Sequence, residues 1–146
     1  MRFKVIAVGR VKEPTIRAAI DEYAKRLGHY APVSEVEVKD GAGPQVSQAI
    51  AKVLGPRDYV VALTIDGTMR SSEELASRLD VLANRAVDVA FLIGGADGLP
   101  GELVKRADET LSFSRMTFPH RIARLLLMEQ LYRAMTIRKG EPYHHG

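Results

Sequence analysis

Three observations predict an α/β fold with a parallel sheet and helices on both faces. Short apolar runs at Phe3–Val8, Tyr59–Ile65 and Val87–Ile93 have the length of buried strands. Segments with apolar residues at helical spacing separate them, the alternation of a parallel sheet. Glycine or proline marks most of the junctions. A chain of 146 residues, 46% of them hydrophobic, is expected to form a single domain over residues 1–146 with a full core.

Phe3–Val8 opens as a strand bounded by Lys4 and Gly9. Pro14 then starts a helix with Ile16, Ala19, Ile20, Tyr23 and Leu27 on one side, stopped near Gly28. Val33–Val38 alternates valine with serine and glutamate, as a strand with one wet face does. Asp40 to Pro44 reads as a loop, and Gln45–Leu54 as a helix facing inward with Val46, Ile50, Val53 and Leu54. Tyr59–Ile65 is the next strand, expected to end at Asp66 and Gly67. Ser71 and Glu74 form a capping box ahead of Leu75, Leu79 and Leu82. Val87–Ile93 stops abruptly at Gly94 and Gly95. After a short polar turn, residues 111–113 suit a short strand, and Pro119 begins a last helix that runs to about Ile137.

The chain has no cysteine, which excludes disulfides and thiolate metal sites. It shows no apolar run of membrane-spanning length and no charged-then-apolar leader. A cytoplasmic protein without membrane contact is the expectation. Charge is uneven along the chain. Residues 1–113 hold 15 Lys/Arg against 16 Asp/Glu, whereas residues 114–146 hold six (Arg115, Arg121, Arg124, Arg133, Arg138, Lys139) against Glu129 and Glu141. That segment could guide a polyanion, or it could be a solvated helix face with a basic tail.

Two small-residue loops follow strands late in the chain. One spans Phe91 to Pro100 around Gly94, Gly95 and Gly98; the other spans Leu111 to His120. Dinucleotide folds place their glycines after the first strand, where the first helix receives a pyrophosphate. Here that position reads Gly9-Arg10-Val11-Lys12, with no G-x-G-x-x-G. The late glycines let backbone approach a ligand, or they merely turn the chain; taken alone they leave both readings open.

Four blocks carry more weight together than any one alone. They are Ile93-Gly-Gly-x-x-Gly-Leu99, Ser112-x-Ser-x-x-Thr-x-Pro-His120, Glu129-Gln-Leu-Tyr-Arg-Ala134 and Gly140-x-Pro-Tyr-His144. In this order and spacing they resemble the SPOUT methyltransferases, closely the RlmH type that methylates N3 of a pseudouridine in 23S ribosomal RNA. The resemblance runs from Val5 to His144. It implies a SPOUT-type fold with a C-terminal trefoil knot, S-adenosylmethionine as methyl donor without a metal, and the ribosome or its 23S rRNA as partner. Carried over, the cofactor contacts fall on Leu63, Gly95, Ser114, Arg115, Met116, Thr117, Phe118 and Pro119. The resemblance also implies a C-terminal tail that orders over the substrate, giving Tyr143 and His144 the task of organising the target base. His145 stands where some relatives carry arginine, so no phosphate contact is carried over to it.

Three features stay open on the residues alone. Arg133 either pairs with Glu129 at i,i+4 or forks onto RNA phosphate; the catalytic assignment takes it with Tyr143 and His144. His120 is either exposed in a first helical turn or faces the substrate side. The last helix, Arg121–Ile137, is apolar nearly all round, with Ile122, Leu125, Leu126, Leu127, Met128 and Leu131, so a homodimer is the expected cover. Two rivals accompany the main reading. A methyltransferase for another RNA, such as tRNA, would use the same loops, and a non-catalytic RNA-binding module would bind no cofactor.

Overall fold

The computed structural model describes the whole chain, Met1–Gly146. Its elements run β1 (Phe3–Val8), α1 (Pro14–Leu27), β2 (Val33–Val38), α2 (Gly43–Val53), β3 (Asp58–Met69), α3 (Ser72–Asn84), β4 (Asp88–Ile93), α4 (Gly101–Arg106), β5 (Glu109–Ser112) and α5 (His120–Arg138). The strands form one sheet in the order β2-β1-β4-β3-β5, and every pairing is parallel. The expected α/β class and parallel sheet are what the chain forms.

Handedness places the helices. The steps from β1 to β2 and from β3 to β4 go one way across the sheet, and the steps from β2 to β3 and β4 to β5 go the other. Right-handed crossovers put opposite steps on opposite faces. Accordingly Ile20 and Leu27 of α1 and Leu75, Leu79 and Leu82 of α3 share one core with Phe3, Val5 and Ala7 of β1. Val46 and Ile50 of α2 and Leu103 of α4 share the other core with Ile6 and Val8. The last helix, α5, joins the first core through Leu127, Met128, Leu131, Ala134 and Met135.

Local signals account for the helix starts. Pro14 sits in the first turn of α1. Pro44 does the same for α2, which therefore begins at Gly43 rather than Gln45. The capping box of α3 forms as expected: Ser71 Oγ accepts the Glu74 amide at 3.0 Å and Glu74 Oε1 accepts the Ser71 amide at 2.7 Å. Those bonds hold the Glu74 carboxyl below its ordinary pKa.

Two expectations need correction. First, β3 does not end at Asp66 and Gly67. It continues to Met69, with Leu63 and Thr68 both opposite Leu111 of β5, so the four residues between them bulge out of the ladder. Gly67 makes the bulge tight, since a Cβ there would lie 2.6 Å from Thr64 Oγ1. Second, the wet face expected of β2 is only partly covered, with Glu37 exposed and Glu35 half-buried. Glu35 and Glu37 meet Arg124 of α5, which is fully buried, and Arg17 of α1. Arg124 Nη1 lies 3.0 Å from Glu35 Oε2, and its Nη2 donates to the carbonyl of Gly9 at 3.1 Å.

Removing Arg124 would leave two carboxylates facing one remaining guanidinium. Arg124→Met is therefore expected to lose about 3 kcal/mol of stability in urea unfolding, the lower end for breaking a buried pair because Arg17 stays. A loss below about 1 kcal/mol would class the cluster with weak surface pairs.

Candidate active site

The residues carried over as cofactor contacts converge on one edge of the sheet. Leu63 lies in β3, Gly95 follows β4, and the segment from Ser114 to Pro119 follows β5. These strands are neighbours in the order β4-β3-β5, and all three run toward the same edge. Ligands in open α/β sheets bind outside the carboxyl ends of strands.

The first loop is a closed turn. Gly98 has a φ of +75°, and its amide donates to the carbonyl of Gly95 at 3.0 Å. A Cβ on Gly94 would sit 2.4 Å from the carbonyl carbon of Gly98 and 2.5 Å from the amide nitrogen of Leu99. On Gly95 it would meet Val8 Cγ1 at 3.2 Å and Asp40 Oδ2 at 3.3 Å. Gly95 was the residue singled out, yet Gly94 is the one the loop cannot replace.

The second loop is clasped to the β3 bulge. Ser112 Oγ, buried, lies 2.8 Å from the carbonyl of Ile65, and Arg115 Nη1 donates to the same carbonyl and to that of Gly67 at 3.3 Å. Ser114 Oγ accepts the amide of Met116 at 3.0 Å. The amides of Thr117 and Phe118 donate to nothing within the chain. Met116 is 73% exposed. Two free donors beside apolar side chains suit a purine edge and face, so the loop fits an adenosine-bearing cofactor. A cleft of about 340 Å³ adjoins it, between the start of α3 and α5, walled by Arg70, Ser72, Phe113, Phe118, Leu126 and Gln130. Of the carried-over residues only Phe118 reaches that wall.

Tyr143, His144 and Arg133 also come together, but in a second cluster. The tail after Gly140 folds back along its own α5. Tyr143 Oη donates to Glu129 Oε2 at 2.7 Å, and its ring packs edge-on against Tyr132 at 4.7 Å. The Arg133 guanidinium lies 4.6 Å over the Tyr143 ring and 3.1 Å from His144 Nδ1. His144 Nε2 lies 3.3 Å from Glu73 Oε1. Tyr30, in the turn after α1, holds the segment by donating to Glu141 at 2.6 Å. Burial, with help from Tyr23 and Glu129, raises the Tyr143 phenol pKa, so the hydroxyl keeps its proton and acts as a donor. Bonding to Glu141 likewise pushes Tyr30 up to about 12.

Glu129 is the hub that the sequence reading missed. Its Oε2 takes Arg133 Nη2 at 2.8 Å as well as Tyr143, so the expected i,i+4 pair is present and also holds the tail. The signal was there in the pairing of Glu129 with Arg133, but nothing local points to residue 143. His120 is half-buried beside Gly9, and its Nδ1 has no partner.

The charge expectation also changes. Arg124 is buried among carboxylates, Arg121 pairs with Glu13, Arg133 with Glu129, Arg138 with Asp80, and Arg115 binds carbonyls. The positive charge of the terminal segment is mostly neutralised within the fold. The apolar helix is likewise better covered than expected, because α1 and α3 flank it and its inner residues are buried. Ile122, Leu125 and Leu126 stay half-buried. No group of three or more His, Cys, Asp or Glu is placed to hold a metal ion, and no helix is long and apolar enough to cross a membrane.

Comparison with known proteins places this geometry. A family model described as "Predicted SPOUT methyltransferase" matches residues 1–144. Proteins named Ribosomal RNA large subunit methyltransferase H match nearly end to end. One from Anaeromyxobacter dehalogenans is 49% identical, covering 99% of each chain, and one from Sorangium cellulosum is 47% identical, covering 99% of this chain and 100% of its own. Among solved structures, a "putative methylase family protein" from Neisseria gonorrhoeae superposes with a TM-score of 0.60 at 15% identity, covering 99% of this chain and 86% of that one. A "Probable Methyltransferase" from Bordetella pertussis gives 0.57 at 14% identity, covering 92% and 96%. At those identities the structures speak for the fold, and the sequence matches speak for the family. The chain belongs to the SPOUT methyltransferase family.

Proposed function

We propose that this chain methylates N3 of a pseudouridine in 23S rRNA, on the ribosome and in the cytoplasm, with S-adenosylmethionine as donor. The observation that carries the reading is the placement of Leu63 at the β3 bulge, Gly95 after β4 and the free amides of Thr117 and Phe118 after β5, on three neighbouring strands. The relatives named for a ribosomal RNA large subunit methyltransferase support the substrate class. The knotted path implied for the chain through these loops belongs to the same reading.

S-adenosylmethionine, when bound, would supply an already activated methyl carbon. The two late loops, from Gly95 and from Ser114 to Pro119, bind and orient it. Tyr143 gives its one proton to Glu129, so what its phenol offers a base in this position is an acceptor oxygen. His144 bonds a base edge, and Arg133 holds both side chains in place. An imide N3–H must pass its proton to water or a neighbouring group before nitrogen attacks, and alignment supplies much of the remaining rate.

The working unit in this reading is a homodimer. Glu129, where Tyr143 is anchored, lies about 15 Å along α5 from Pro119 at the cofactor loop. The tail of one subunit therefore serves the cofactor loops of the other. Exposed Met116 and half-buried Ile122, Leu125 and Leu126 supply the apolar contact for a two-fold partner.

Labelled methyl transfer tests the reading. The purified protein is incubated with tritiated S-adenosylmethionine and small subunits, large subunits, whole ribosomes or tRNA, followed by nucleoside analysis. Label in 3-methylpseudouridine of 23S rRNA is expected. Label in tRNA alone would overturn the substrate, and absence of cofactor binding would overturn the enzyme.

A further inference from the structure

Free positive charge at the site edge also follows β1 and β2, and β1 pairs directly with β4, the strand that leads into the first loop. Arg10 and Lys12 follow β1, and Lys39 follows β2. All three are exposed, and none makes an ion pair. The backbone that carries them is anchored. Between Arg10 and Lys12, Val11 is buried in the main core, so the two cations are turned outward together. Gly9, with a φ of +90°, is pinned on both sides: its amide donates to the carbonyl of Val38 at 2.8 Å, and its carbonyl takes Arg124 Nη2 at 3.1 Å. The same hydrogen bond draws the β1 turn beside Lys39.

Neighbouring acids do little to cancel this charge. Glu13 is occupied by Arg121, and the one unpaired carboxylate beside the three cations, Asp40, is turned toward Gly95, so the lip keeps a net positive charge. The turn also abuts the start of α5, where His120 Cε1 would lie 3.7 Å from a Cβ on Gly9. Three unpaired cations thus stand on an ordered lip next to both cofactor loops. A flexible basic tail would have to be ordered by its ligand, whereas this lip is already built.

We propose that Arg10, Lys12 and Lys39 form a phosphate-gripping lip that holds the RNA strand beside the target nucleotide. The inference rests on the reading of the chain as an RNA methyltransferase and adds the surface that positions the substrate. Such contacts supply affinity and register without reading sequence. Each neutralised phosphate on a single strand contributes about 0.7 to the slope of log affinity against log salt.

The test compares the wild type with the triple variant Arg10→Ala, Lys12→Ala, Lys39→Ala, with the fold checked by circular dichroism. Methyl transfer to ribosomes is measured across a potassium chloride series, with S-adenosylmethionine affinity measured by calorimetry. The variant should raise KM for ribosomes about 30-fold, leave kcat and cofactor affinity unchanged, and flatten the salt slope by about 2. The charge-conserving triple, Arg10→Lys, Lys12→Arg, Lys39→Arg, should restore both KM and slope. Unchanged KM and slope in the alanine variant would make the lip ordinary solvated surface. If no ribosomal fraction accepts methyl, the functional reading has failed. Filter retention of a 23S rRNA transcript then judges the lip by itself: a flattened slope supports it, and equal retention of both proteins overturns it.

Discussion

Deleting Glu141–Gly146 is expected to lower methyl transfer to ribosomes at least about a hundredfold while S-adenosylmethionine affinity stays within about twofold. The segment carries Tyr143 and His144 and contains no residue of either cofactor loop. Its contacts are with Tyr23, Tyr30, Glu73, Glu129, Tyr132 and Arg133, all outside the loops that follow β4 and β5. The core does not depend on it, since Glu141, Pro142, His145 and Gly146 are exposed and Tyr143 and His144 only half-buried. Single-turnover transfer from pre-bound cofactor separates chemistry from binding. A truncated protein that methylates at the wild-type rate would show the tail to be idle.

Gly94→Ala is expected to abolish cofactor binding, a loss of at least about a hundredfold, for a steric reason internal to the loop. Its new Cβ would lie 2.4 Å from backbone carbon and 2.5 Å from backbone nitrogen, and neither can move without opening the Gly95–Gly98 turn. Overpacking against backbone has no cheap relaxation, unlike overpacking against a side-chain tip. Gly95→Val meets side-chain atoms of Val8 and Asp40 at 3.2 and 3.3 Å, so its fold should suffer less. It should still block the ligand through its branched bulk. Calorimetry showing wild-type affinity in a folded Gly94→Ala protein would remove this loop from the cofactor pocket. Mixing that variant with the tail-deleted protein also tests the shared site: exchanged subunits should regain up to about a quarter of wild-type activity, because half the dimers carry one complete site.

The elements that local chemistry specifies were legible in the residues. Ser71 and Glu74 announce α3, Pro14 announces α1, and the apolar runs announce β1, β3 and β4. Long-range pairings were not. Glu35 and Glu37 alternate with valine, the pattern of a wet strand face, and their partner Arg124 stands 89 and 87 residues away. An arginine in a basic stretch gives no local sign of being fully buried. Asp66 and Gly67 are a strong stop signal, and they mark a bulge because β5 re-pairs with β3 beyond it. In the site, the carried-over loop residues share one edge, but no spacing rule joins Tyr143 to Glu129. The lip was hidden for the opposite reason. Arg10 and Lys12 lie in a stretch whose net charge is slightly negative, and only the fold shows which charges are cancelled.

The folded-back tail has a consequence in time as well as in space. It is fastened by a few bonds at the surface, whereas α5 beneath it lies in the core, so the two open with different free energies. The amides of Glu141 and of residues 143–146 should exchange with deuterium through local release, long before those of Leu127 or Leu131, which wait for global unfolding. The tether from Gly140 is only a few residues long, so the released segment stays at millimolar effective concentration near any surface within its reach. Re-docking on its own helix and capture by a neighbouring subunit then compete as intramolecular events. Exchange rates in the tail, read with and without RNA, would report that competition directly.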